Sequence, residues 1–228
     1  MRLFLSTIVL ASLLGCQRAS PRPPAENAKN GFLALGDSYT IGESVDAADR
    51  WPVQLARMVR EKGADVADPQ IIATTGWTTD ELSAGMDAAA PKAPYRLVTV
   101  LIGVNNQFRG RDIVEFRTQF RAQCKRAVTL AGEKPSRVIV VSIPDYGVTP
   151  FAASSDRGKI SRQIDAFNAG CHEEVTALGI AFVDITGISK KAADDRSLIA
   201  DDGLHPSGKM YRQWAEKILP EAQRALKE

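Results

Sequence analysis

The chain has 228 residues, of which 44% are hydrophobic and 25% are charged. This length and composition are typical of one soluble globular domain with a full hydrophobic core. The 29 Lys and Arg residues nearly balance the 27 Asp and Glu residues and are scattered among them, so there is no electrostatic reason to expect a nucleic-acid partner.

The N-terminus predicts an export signal. Arg2 supplies a positive charge, and the apolar stretch from Leu3 to Leu14 is too short to span a bilayer but suits a signal peptide. The stretch ends at Cys16, and residues 1–16 resemble a bacterial lipoprotein signal in which that cysteine is acylated. The alternative is an ordinary signal peptide with an incidental cysteine.

The segment 17–30 is rich in Pro, Ala and polar residues and predicts a flexible tether before a domain at 31–228. We therefore expect a lipid anchor that attaches the chain to a membrane of the bacterial envelope. Gln17, rather than Asp, follows the cysteine. If the sorting habit of enterobacterial lipoproteins applies, this favours the outer membrane, with the domain facing the periplasm.

Short apolar runs rich in β-branched and aliphatic residues predict the strands of a sheet. Each run is apolar almost throughout, which is the pattern of parallel strands that are buried on both faces. The predicted strands are Gly31–Leu35, Gln70–Thr74, Leu97–Ile102, Arg137–Ile143 and Ile180–Ile185.

Helical periodicity fills most of the intervals between these runs. The predicted helices are Trp51–Lys62, Asp112–Ala131, Lys159–Leu178 and a last helix from about Ser207 to Leu226, which Pro220 is expected to break or kink. Alternating strands and helices predict a three-layer α/β fold with right-handed crossovers. In such a sheet the functional residues lie just beyond the carboxyl ends of the strands.

A serine follows the first predicted strand directly, in the tripeptide Gly36-Asp37-Ser38. Its hydroxyl would project from the carboxyl edge of the sheet, and Gly36 would let the chain turn tightly there. The tripeptide is also common turn chemistry, and it is not the Gly-x-Ser-x-Gly elbow of α/β-hydrolases. Ser38 is therefore a candidate nucleophile that needs a base.

Asp202 and His205 stand three residues apart, just before the last helix. In a turn with that spacing the carboxylate can accept the Nδ1 proton and leave Nε2 free to take a proton from serine. The alternatives are a solvated or calcium-like acidic loop and a surface histidine. The rival base, His172, lies within a predicted helix beside Glu173 and Glu174, as expected of a solvated face.

Two further strands are followed by groups that can donate hydrogen bonds. Gly76 follows the second strand and can bring its backbone N–H close to a ligand, and Asn105 follows the third and can offer its amide N–H. With the N–H of Ser38 they would form a three-donor oxyanion hole. Taken singly, Gly76 and Asn105 are each also residues that commonly occur in loops without a catalytic function.

The motifs described above occur in the order in which the GDSL/SGNH hydrolase superfamily has its conserved sequence blocks, and together they resemble that superfamily. The matching residues are Gly36-Asp37-Ser38, Gly76, Gly103-Val104-Asn105 and Asp202-Gly203-Leu204-His205. The resemblance extends from about Gly31 to the C-terminus. It implies a flavodoxin-like sheet of five parallel strands, and ester hydrolysis through an acyl-enzyme, without a metal or a cofactor.

The chain departs from the family pattern at one position. The third block usually ends in Asp, but Asn106 stands there. Asp37 is interpreted as structural support for the nucleophile loop. We predict that Trp77, Phe108, Tyr146 and Phe151 wall the substrate pocket, although these residues could equally close the core.

Cys124 and Cys171 lie within predicted helices. In an oxidising compartment they could form a disulfide, and the alternative is two buried free thiols.

The expected substrates are small-molecule esters, among which short-chain esters, lysophospholipids and thioesters remain open. A second hypothesis is a carbohydrate O-acetyl esterase or transferase of the cell envelope, and a third is a non-catalytic envelope lipoprotein on a hydrolase scaffold.

Overall fold

A five-stranded, wholly parallel sheet forms the centre of the domain, in the order β2-β1-β3-β4-β5. The computed structural model describes residues 30–227. The strands are Phe32–Gly36 (β1), Pro69–Ala73 (β2), Leu97–Leu101 (β3), Val138–Val141 (β4) and Ala181–Val183 (β5). Each overlaps a predicted strand, so the prediction of a three-layer α/β fold with a parallel sheet is confirmed.

Helices cover both faces of the sheet. They are Ser38–Ile41 (α1), Trp51–Glu61 (α2), Thr79–Ala89 (α3), Val104–Phe108 (α4), Ile113–Leu130 (α5), Arg157–Ala177 (α6), Thr186–Ser189 (α7) and Gly208–Leu226 (α8). Single turns of 3₁₀ helix lie at Ala47–Asp49, Pro135–Arg137, Tyr146–Val148, Pro150–Ala152, Lys190–Ala193 and Arg196–Leu198. Helices α2 and α8 pack together on one face, and α3, α5 and α6 pack in sequence on the other.

Two features of the helices differ from the prediction. Helix α8 continues through Pro220, whose ring lies on the exposed side, while Ile218 and Ala222 keep the inner face of the helix in the core. Helix α3 and the short helices α1, α4 and α7 were not predicted, although Thr78 and Glu81 form a capping box at the start of α3.

The sheet has a topological switch point between β1 and β3. The chain passes from β1 to β2 on one side of β1, and then crosses to β3 on the other side of β1. Gly36 lies level with Ala73 of β2 and with Leu101 of β3, so these three strands end in one row. Loops that leave such a row diverge and form a crevice, which is where ligands bind in open α/β sheets.

The predicted signal segment (1–16), which includes the predicted acylation site Cys16, lies outside the described residues, as does nearly all of the predicted tether (17–30). In the part of the chain that the structure covers, no helix combines the length and the apolar character needed to cross a bilayer.

Candidate active site

Ser38 is the first residue of α1, immediately beyond the carboxyl end of β1. Gly36 is required just before it, because a Cβ at this position would overlap both the Thr40 hydroxyl and the carbonyl oxygen of Leu101. The Ser38 hydroxyl faces a cleft at the strand ends. Among residues 30–227 its side chain has no hydrogen-bond partner, as is common for a nucleophile without substrate.

Asp37 supports the serine from within the protein. Its side chain is fully buried and caps α1 by accepting a hydrogen bond from the N–H of Tyr39 at 3.0 Å. Burial raises the pKa of Asp37 from 3.8 to about 7, and hydrogen bonds from the backbone oppose that rise. Asp37 does not line the cleft, which is consistent with its interpretation as structural support.

Asp202 and His205 lie in a narrow loop that precedes α8. The loop is closed by the N–H of Ala200, which donates to the carbonyl of His205 at 2.8 Å, and Gly203 turns it with a φ of 73°. Within the loop the Nδ1 atom of His205 lies 2.6 Å from Oδ2 of Asp202. The pair therefore has the geometry in which a carboxylate orients an imidazole.

The other oxygen of Asp202 is held by the backbone. The N–H groups of Leu204 and His205 both donate to Oδ1, each at 2.9 Å. Partial burial alone would raise the pKa of Asp202, but hydrogen bonds from Ser44, from the imidazole and from these two N–H groups lower it well below its usual value. Asp202 is therefore a carboxylate at neutral pH, able to stabilise a protonated imidazole.

The imidazole is fixed by packing as well. His205 is buried, and its ring centroid lies 5.2 Å from that of Tyr39, which in turn lies 6.3 Å from the ring of Trp214 in α8. Aromatic contacts at these distances restrict the rotation of the imidazole. His205 and Ser38 line the same cleft.

Gly76 and Asn105 reach this cleft from the neighbouring strand ends. Gly76 is the third residue of a turn closed by the N–H of Trp77 and the carbonyl of Thr74 at 3.2 Å, and its φ of 88° favours glycine. Arg109 binds the Gly76 carbonyl oxygen at 2.6 Å.

One hydrogen of the Asn105 amide is already committed. Its Nδ2 atom donates to the carbonyl oxygen of Trp77 at 3.0 Å, which fixes the orientation of the side chain. Because an amide nitrogen carries two hydrogens, the second remains for a group bound in the cleft. The structure thus brings the predicted donors and the predicted triad to one place.

The cleft has a volume of about 120 Å³ and largely apolar walls. Phe108, Tyr146 and Phe151 form one wall, with ring centroids 6.0–6.4 Å apart. Phe108 and Phe151 are 56% and 49% exposed, so this wall is open to solvent at its rim. Tyr39, Val104 and Leu204, which adjoin the predicted site residues in the sequence, also line the cleft, as does Thr75.

Residues 34–213 match the GDSL-like Lipase/Acylhydrolase family. The chain belongs to this family. The match covers most of the chain, including Ser38, Gly76, Asn105, Asp202 and His205.

Similar solved structures share the fold of this GDSL-like domain. TesA is 18% identical, with a TM-score of 0.68 over 86% of this chain and 100% of that one. The psychrotrophic esterase EstA from Pseudoalteromonas sp., inhibited by monoethylphosphonate, is 16% identical, with a TM-score of 0.66 over 87% and 100%. The acetylxylan esterase Axe2 from Geobacillus stearothermophilus is 19% identical, with a TM-score of 0.62 over 86% and 94%. A comparison of this sequence with curated proteins found no significant match.

Asn106, the departure from the usual GDSL pattern, is buried, and both ends of its amide are hydrogen-bonded. Its Oδ1 accepts the N–H of Thr79 at 3.1 Å, and its Nδ2 donates to the Thr79 hydroxyl at 2.8 Å. The amide thereby connects α4 to the first turn of α3. It provides both an acceptor and a donor, whereas a carboxylate would provide acceptors alone.

Trp77 is a correction to the predicted pocket. Its indole is half-buried against Gly85 of α3, where a Cβ would overlap the ring, and it does not line the cleft. The absence of a side chain at Gly85 creates the slot that the indole fills. The Trp77 carbonyl still contributes to the site, because it orients Asn105.

Cys124, Cys171 and the rival base His172 do not line the cleft. Cys124 and Cys171 are free, buried thiols rather than a disulfide. Burial raises the pKa of Cys124 to about 12 and that of Cys171 well above its usual value, so neither is a reactive thiolate. His172 is exposed on α6, with its ring 5.2 Å from Phe182.

Within residues 30–227, no group of three or more His, Cys, Asp or Glu side chains is arranged to hold a metal ion.

Proposed function

We propose that this protein is a serine esterase that cleaves carboxylic esters through an acyl-enzyme on Ser38. One observation carries the proposal: the Asp202–His205 pair, the serine hydroxyl and the groups at Gly76 and Asn105 converge on a single cleft. Each of these groups has a distinct role in acyl transfer.

In the first step Nε2 of His205 takes the hydroxyl proton as Oγ of Ser38 attacks the ester carbonyl. The carbonyl π electrons move to its oxygen, and Asp202 stabilises the imidazolium. The carbonyl oxygen of this tetrahedral intermediate is negatively charged, and the N–H groups of Ser38 and Gly76 and the amide of Asn105 donate hydrogen bonds to it. When the intermediate collapses, the bond to the alcohol breaks, and the alcohol leaves with the proton from His205.

In the second step water repeats the sequence on the acyl-enzyme. His205 takes a proton from water as the water oxygen attacks the acyl carbonyl, and then returns the proton to Oγ of Ser38. The carboxylic acid is released and the enzyme is regenerated.

The acyl group is expected to be apolar and of modest size. The cleft holds about 120 Å³, and its aromatic wall of Phe108, Tyr146 and Phe151 presents no charge. The open rim at Phe108 and Phe151 lets a longer chain extend over their exposed faces.

A carbohydrate O-acetyl esterase is the second candidate, since an acetyl group fits a cleft of this size. Activity on acetylated sugars that exceeds activity on simple alkyl esters would favour it, and product formation that requires an added sugar acceptor would identify a transferase.

The test is labelling of the purified full chain with a fluorophosphonate, followed by p-nitrophenyl esters of rising acyl length. Wild type should label, Ser38→Ala should fold but neither label nor turn over, and exposed Ser154→Ala should behave as wild type. A folded wild type that does not label, or an active Ser38→Ala variant, contradicts the proposal. Failure to label would favour a non-catalytic binding protein.

We also propose that acylated Cys16 anchors the chain in the bacterial outer membrane. Mass spectrometry of the mature N-terminus tests the acylation. Recovery of Cys16→Ser in the same membrane fraction as wild type would contradict the anchor.

A further inference from the structure

The turn after α1 contains a serine in an unfavourable backbone conformation. Ser44 has a φ of 65°, in the left-handed region that costs free energy for a residue with a Cβ. The turn is anchored independently, because the N–H groups of Gly42 and Glu43 donate to the Ser38 carbonyl at 3.0 and 3.1 Å. Glu43 also accepts a hydrogen bond from Thr75 at the cleft.

In this conformation the side chain of Ser44 reaches the proposed acid of the triad. Its hydroxyl donates to Oδ2 of Asp202 at 2.6 Å, the same oxygen that binds Nδ1 of His205. The other three donors to Asp202 come from its own loop, whereas Ser44 is 158 positions away in sequence. It provides a direct side-chain contact between the nucleophile loop and the acid–base loop.

We propose that Ser44 is a positioning residue for the proposed esterase reaction, holding the Asp202 carboxylate so that the imidazole of His205 faces Ser38. The backbone donors fix Oδ1, but they leave the carboxylate free to tilt about that oxygen. A second donor on Oδ2 removes this freedom. The Ser44 hydrogen bond also connects the Asp202–His205 pair to the loop that carries Ser38, and so fixes the position of His205 relative to Ser38.

Electrostatics support this geometry. Burial raises the pKa of Asp202, and the hydrogen bond from Ser44 is the leading contribution that lowers it. The same hydrogen bond draws charge from the oxygen that faces the imidazole. Removing the hydroxyl therefore changes the Asp202–His205 hydrogen bond itself as well as the stability of the turn.

The test compares Ser44→Ala and Ser44→Gly with the exposed control Ser154→Ala. Alanine and glycine both remove the hydroxyl, but glycine relieves the left-handed strain. We expect kcat on a p-nitrophenyl ester to fall roughly tenfold in both variants, with KM nearly unchanged, because one charge-assisted hydrogen bond is lost. Thermal unfolding establishes that each variant is folded.

A spectroscopic readout separates positioning from a purely structural role. The chain has two histidines, and His172 is exposed, so a downfield imidazole N–H signal in the proton NMR spectrum belongs to His205. In both Ser44 variants this signal should shift or broaden, and in Ser154→Ala it should not.

The inference is overturned if the downfield imidazole N–H signal of His205 is unchanged in the Ser44 variants, if their kcat equals that of wild type, or if Ser44→Gly alone has wild-type turnover. This proposal rests on the proposed function, but the two fail differently. If wild type does not label with a fluorophosphonate, the esterase proposal fails. If wild type labels and the Ser44 variants match it in turnover, the positioning role alone fails.

Discussion

Asp202→Asn keeps the shape of the side chain but replaces one acceptor oxygen with a donor. Two backbone N–H groups point at Oδ1 of Asp202, each 2.9 Å away. An amide NH₂ placed there would face two donors, so the asparagine oxygen must occupy that side. The NH₂ group then faces the His205 ring and the Ser44 hydroxyl, which can rotate to accept.

This orientation determines the state of the imidazole. An NH₂ group that faces Nδ1 at about the observed spacing requires Nδ1 to be the unprotonated acceptor, so the neutral ring carries its proton on Nε2. With that tautomer His205 cannot take a proton from Ser38. The carboxylate that stabilises the imidazolium is also gone.

We therefore expect kcat for Asp202→Asn to fall on the order of 10³–10⁴-fold, which corresponds to about 4–5.5 kcal/mol of transition-state stabilisation. KM should change little, because Asp202 does not line the cleft. The assay is hydrolysis of a short p-nitrophenyl ester, with circular dichroism to verify folding. Asp201→Asn is the matched control, since the adjacent Asp201 is exposed. Retention of a tenth of wild-type turnover in Asp202→Asn would refute the reasoning.

Three further substitutions test the supporting structure. Gly36→Ala should lower the free energy of unfolding by about 1–3 kcal/mol, because its Cβ would overlap the Leu101 carbonyl; an unchanged denaturation midpoint contradicts this. Asn106→Ala should cost about 1–3 kcal/mol, since the buried Thr79 N–H loses its acceptor, and a urea titration that matches wild type would count against it. Because burial raises the folded-state pKa of Asp37 from 3.8 to about 7, wild-type stability relative to Asp37→Asn should fall as the pH rises through that interval; a pH-independent difference would disprove the assignment.

The nucleophile side of the site was predictable because it follows directly from the strands. Strands buried on both faces are apolar throughout, so their ends can be located to within a residue or two in the sequence. Ser38 and Asn105 follow the ends of two such strands, Gly76 follows the end of the partly buried edge strand β2, and the register places these three ends in one row. Strand periodicity and site chemistry therefore gave one consistent prediction, whereas the flavodoxin-like sheet was implied only by the family resemblance.

Other features depend on contacts that no local pattern records. Trp77 is predicted to wall the pocket, but a missing side chain on the next helix, at Gly85, decides where the indole packs. The state of Cys124 and Cys171 depends on a distance between two helices. Helix α3 had a readable signal in Thr78 and Glu81, but its inward face is short, with Leu82 and Met86 as its large apolar residues.

Ser44 shows why the position of the Asp202–His205 loop is harder to predict than that of Ser38. No strand leads directly into the Asp202–His205 loop, which is placed by a two-residue bridge between Ile199 and Pro206 and by the packing of α8. Its distance from Ser38 is therefore not fixed by strand register. A contact such as that of Ser44 with Asp202 couples the two sides directly. The sequence identifies the residues that react, but their relative position depends on tertiary contacts of this kind.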